Sequence, residues 1–68
     1  MATYYVNRHA QNNGDHEVHK EGCRFLPDPA NRVRLGGFMT CQGAVAAAAK
    51  HYRQVDGCYY CCRACHAS

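Results

Sequence analysis

Gly57-Cys58-Tyr59-Tyr60-Cys61-Cys62-Arg63-Ala64-Cys65-His66-Ala67-Ser68 holds four of the six cysteines of this chain. They stand in two overlapping Cys-x-x-Cys frames, Cys58/Cys61 and Cys62/Cys65. A turn of that length sets two thiolates on one side, at the separation that one tetrahedral metal ion needs. Two ligands do not close a structural site, so the chain must supply two more. The best upstream match is His19-Lys20-Glu21-Gly22-Cys23, a His-x3-Cys segment. Two short ligand pairs separated by a long insertion follow the usual logic of a structural zinc site. The sequence therefore predicts one small domain over residues 1–68, stapled by one Zn²⁺.

Size makes a staple necessary. At 68 residues there is room for a single domain, and its larger aliphatics are two Leu, five Val, two Met and no Ile. Chains this short bury too little surface to be stable on their core alone, and commonly add a metal, disulfides or a partner. The beginning, Met1-Ala2-Thr3-Tyr4-Tyr5-Val6-Asn7, has neither the basic start nor the apolar run of a signal peptide. No stretch approaches the length of a membrane span. A cytoplasmic location is expected, and reduced thiols there favour a metal over three disulfides.

Residues 3–7 are β-branched and aromatic, as in a strand, and Asn12-Asn13-Gly14-Asp15 signals a turn. Residues 16–19 then return as the second strand of a hairpin. Gly22 lets the backbone turn tightly before Cys23. Leu26-Pro27-Asp28-Pro29 fits neither a helix nor a central strand, so 24–31 reads as a loop with Phe25 and Leu26 tucked into the core. Arg32-Val33-Arg34-Leu35 alternates and predicts a third short strand, broken by Gly36-Gly37. One main helix spans about 41–55, with Thr40 as N-cap, the alanine run 46–49 inside it and Asp56-Gly57 as its stop. Cys41, Val45, Ala48 and Tyr52 share its buried stripe. The expected class is α+β, with a short antiparallel sheet and one helix.

The metal ligands read from the sequence are His19, Cys23, Cys62 and Cys65. The second frame is preferred because it lies farther from the helix end, leaving the chain room to curl back; His66 could replace Cys65. Cys41 is assigned to packing, and Cys58 and Cys61 to packing or to a spare reactive pair. Tyr59 and Tyr60 read as cover for a thin core, and His9, His16 and His51 as surface residues. His16-Glu17-Val18-His19 is not the zincin motif: its spacing is wrong, and a strand replaces the helix that would align two histidines.

The order hairpin, His-x3-Cys, short strand, alanine-rich helix, Cys-x2-Cys resembles the small Ada-type zinc-binding module, variants of which are attached to bacterial nucleases. The matching residues are Val18-His19-Lys20-Glu21-Gly22-Cys23-Arg24 and Cys62-Arg63-Ala64-Cys65, and the likeness spans roughly residues 3–66. The chain is also similar to short stand-alone bacterial proteins with His-Glu-Val-His and Cys-Cys-x-x-Cys-His signatures. In Ada, the first ligand is a thiolate that accepts a methyl group from a DNA phosphotriester. His19 holds that position here, and a metal-bound imidazole lacks a thiolate's nucleophilicity. The resemblance thus implies the zinc fold, without methyl transfer.

The resulting expectation is a non-catalytic zinc module with a protein or nucleic-acid partner. The formal charge is +3; the two charges of Zn²⁺ set against three thiolates would take one from it. Arg24, Arg32, Arg34, Lys50, Arg53 and Arg63 could meet phosphates if the fold gathers them. The alternative is a thiol redox or metal-handling protein using Cys58 and Cys61, although no βαβ pattern surrounds them. No paired-carboxylate or Ser/His/Asp arrangement suggests a hydrolase.

Overall fold

A computed structural model describes residues 1–67. Four strands and one helix make it an α+β domain: β1 (Ala2–Asn7), β2 (His16–Lys20), β3 (Arg32–Phe38), α1 (Cys41–Ala48) and β4 (Val55–Gly57). The strands form one mixed sheet in the order β3-β1-β2-β4. β1 pairs antiparallel with β2 (Tyr5 opposite His19, Val6 opposite Val18) and with β3, as the hairpin and third strand led one to expect.

Two boundaries differ from the sequence reading. Gly36-Gly37 does not end β3; a bulge at Tyr4/Tyr5 leaves Leu35 without a register partner, and the strand runs on to Phe38. Gly36 has φ +116°, a conformation that glycine adopts without steric cost. Val33 and Leu35, two positions apart, both pack against the core.

The helix ends at Ala48, not near residue 55. Its last turn tightens, with the amides of Lys50 and His51 donating to the carbonyls of Ala47 and Ala48. Tyr52 then lays its ring flat on His16, with centroids 3.8 Å apart. Gln54 draws the chain back onto the sheet: its Nε2 donates to the Asn13 carbonyl (2.9 Å) and Asp15 Oδ1 (2.8 Å), and its own carbonyl accepts from His16 N. These anchors turn 55–57 into β4, parallel to β2. Asp56-Gly57 is therefore strand rather than helix stop. Thr40 occupies the N-cap position but makes no side-chain capping bond.

Small residues set the core. Ala44 and Ala48 are fully buried with Tyr4, Val6, Val18, Cys41 and Cys62, so α1 lies close across the strands. A Cβ on Gly43 would sit 2.9 Å from Phe38 Cδ1, which shows how tightly the helix seats on that ring. Phe25 is not in this core: it is 49% exposed.

Candidate metal centre

The side of β2 facing away from the helix builds a second interior. Strand alternation puts Val18 towards α1 and His19 on the opposite face, across from Tyr5. The largest fully buried side chains of the described residues are His19, Val6, Val18 and Cys58, so two of the four are polar or thiol groups. A buried imidazole at 1% exposure needs partners, and they converge from both ends of the chain.

Two short loops supply them. Gly22, at φ +91°, turns the chain after β2, and the Cys23 amide donates to the Lys20 carbonyl. On the other side β4 delivers Cys58 directly, with its amide donating to the Val18 carbonyl at 2.9 Å. The chain then curls so that Cys61 Sγ accepts from the Lys20 amide at 3.3 Å. The ligand atoms of His19, Cys23, Cys58 and Cys61 all lie within 4.8 Å of one another.

The edges of that group suit a metal. Cys23 Sγ and Cys58 Sγ are 4.0 Å apart, and Cys61 Sγ is 3.9 Å from His19 Nδ1. A regular tetrahedron with Zn–S of about 2.3 Å and Zn–N of about 2.0–2.1 Å has edges of about 3.8 and 3.5 Å. The two edges are within a few tenths of an ångström of those values, and the whole group lies within 4.8 Å, so the four donors could close around one ion by moving inward. Amides support the sulfurs: besides Lys20 on Cys61, the Phe25 amide approaches Cys23 Sγ at 3.5 Å.

The imidazole is oriented for this role. His19 Nε2 lies 3.5 Å from Glu17 Oε1, a carboxylate oxygen that can only accept while ionised. The proton therefore belongs on Nε2, which leaves the Nδ1 lone pair facing the thiols, the carboxylate–histidine–metal arrangement. Burial lowers the His19 pKa, keeping it neutral, while Glu17 acts weakly in the other direction. Burial raises the Cys61 pKa; the Lys20 amide opposes it, and the nearby thiols of Cys23, Cys62 and Cys58 add smaller upward contributions. Without a cation, burial holds the proton on Cys61. Metal binding takes thiolates, so an ion bound there would displace that proton.

His19 and Cys23 are thus brought together as the sequence suggested, but the frame that joins them is Cys58/Cys61 rather than Cys62/Cys65. Cys62 Sγ lies 3.8 Å from Cys61 Sγ, yet Cys62 is packed in the core under α1 and stands outside the four-donor group. Cys65 is bonded to Cys41 in a disulfide spanning 24 positions. Cys41 is therefore a covalent tie as well as a packing residue. His66 is no substitute ligand either: its Nδ1 faces the Gly57 carbonyl (3.0 Å) and Asp56 Oδ2 (3.2 Å), fastening the C-terminal turn to β4.

The preference for the later frame assumed a helix lasting to residue 55. With the helix ending at Ala48, β4 already brings residue 58 beside β2, and no further curl is needed. A local signal was present: each ligand loop has a glycine directly before its cysteine, Gly22-Cys23 and Gly57-Cys58.

No family model, curated protein or solved structure matches the chain. Among the described residues no helix is long and apolar enough to cross a membrane.

Proposed function

We propose that this chain is a non-catalytic zinc module in which His19, Cys23, Cys58 and Cys61 hold one structural Zn²⁺ and present the surrounding loops to a macromolecular partner. The convergence of one imidazole and three thiols within 4.8 Å of one another carries this reading. A sulfur-rich tetrahedral set selects zinc or iron over hard cations such as Mg²⁺ or Ca²⁺. Four protein ligands leave no open position for water or substrate, the mark of a structural rather than catalytic site. Of the two pairs that carried the likeness to the Ada-type module, only His19 and Cys23 belong to the donor group.

Native mass spectrometry of protein purified without added metal tests the proposal, with circular dichroism before and after chelation. One zinc per chain, and loss of structure on its removal, is the expected result, because metal-binding energy is here folding energy. A metal-free chain that keeps its fold would refute it.

A further inference from the structure

The two ligand loops carry more than ligands. Arg24 and Phe25 follow Cys23, Tyr59 and Tyr60 lie between Cys58 and Cys61, and Arg63 follows Cys62. Phe25 is 49%, Tyr59 42% and Tyr60 67% exposed. They touch one another: the Phe25 and Tyr60 rings stack at 4.7 Å between centroids, and Tyr60 meets Tyr59 edge-on at 5.1 Å. Guanidinium groups stand at both ends, Arg24 5.7 Å from the Phe25 ring centre and Arg63 4.7 Å from that of Tyr59.

A chain this poor in large apolar residues would be expected to bury its aromatics. It instead leaves three rings outside, in one contiguous ribbon with cations at its ends. From this we infer that the ribbon is a binding platform for single-stranded nucleic acid. Exposed rings stack on any unpaired base, while flanking guanidiniums meet the phosphates on either side; these are the two components of sequence-tolerant single-strand binding. Tyr60, central and most exposed, is the stacking surface, and Arg63 and Arg24 are the backbone contacts. The nearby carboxylate of Glu21 accepts from the Tyr5 hydroxyl at 3.2 Å. An acidic peptide would satisfy the cations but gain little from the rings, and a duplex keeps its base faces stacked away from them.

This inference rests on the zinc reading, since the ion would hold both loops in place. The test is fluorescence anisotropy of a short labelled oligothymidylate with zinc-loaded protein. A duplex of equal length and polyglutamate serve as competitors, and zinc content is measured on each sample. Expected is salt-sensitive binding to the single strand, in preference to both competitors. Tyr60→Ala should weaken it roughly 5- to 160-fold at unchanged zinc content and circular dichroism. Arg63→Gln should reduce the slope of log affinity against log salt by roughly 0.7. Zinc-loaded protein that ignores the oligonucleotide, that prefers duplex or polyglutamate, or that binds as well after Tyr60→Ala would overturn the inference while leaving the zinc reading intact. Protein that purifies without zinc yet binds the strand through Tyr60 would overturn the zinc reading alone.

Discussion

Replacing Gly57 by alanine tests the way the structure delivers Cys58 to the site. Gly57 does not have a positive φ, so its importance is steric rather than conformational. A Cβ there would lie 2.8 Å from the Cys62 carbonyl oxygen, 2.8 Å from Cys65 Cβ and 2.9 Å from the Cys65 carbonyl carbon. Carbon–carbon contacts are optimal near 3.5–4.0 Å, so each carbon contact is short by roughly 0.6 Å or more. None of the three atoms is the free end of a flexible side chain. Cys65 is tied to Cys41, and Cys62 is buried under α1, so the turn cannot move away cheaply. Overpacking costs about 1–3 kcal/mol in typical cores, and this site belongs at the upper end, about 3 kcal/mol. For a domain of this size that lowers the thermal midpoint by roughly 12–24 °C. Gly37→Ala is the control: its Cβ would meet Met1 Cε at an ordinary 3.6 Å. Thermal unfolding of both variants at saturating zinc, followed by circular dichroism, makes the comparison. Equal midpoints for Gly57→Ala and the parent would refute the close approach of the C-terminal turn to β4.

Three further outcomes follow from the site and its tie. Glu17→Gln should weaken zinc binding about 10- to 100-fold in a chelator competition with the fold retained, as loss of an orienting carboxylate does; unchanged affinity would remove Glu17 from the site. Because burial depresses the folded-state pKa of His19, the stability of its neutral form is present above the unfolded value of about 6.5 and is lost as pH falls below it. Zinc release with proton uptake should accompany that fall, and a thermal midpoint indifferent to acidification through this range would contradict it. Cys65→Ala should keep zinc while losing up to about 3.4 kcal/mol in denaturant titration, the loop-closure ceiling for a separation of 24; loss of zinc would place Cys65 back among the ligands.

The hairpin, the third strand and the helix start were legible because period-two alternation, a turn cluster and an alanine run are local signals. His19 and Cys23 were legible for the same reason, being a short pair on one strand end. What escaped depended on contacts distant in sequence. The alanine run has no intrinsic stop before residue 56, and the helix ends early because Tyr52 stacks on His16 and Gln54 bonds to Asn13 and Asp15. That early end creates β4, which selects Cys58/Cys61 over Cys62/Cys65 and frees Cys65 to meet Cys41. Tyr59 and Tyr60 read as core cover from composition, but once Cys58 and Cys61 turn inward the residues between them face outward.

X-ray absorption at the zinc edge of the loaded protein tests the central claim most directly. The expected coordination is three sulfurs at about 2.3 Å and one nitrogen at about 2.0–2.1 Å. That shell should lose a sulfur in Cys58→Ser and stay intact in Cys62→Ser. An unchanged shell in Cys58→Ser, or a sulfur lost in Cys62→Ser, would contradict it.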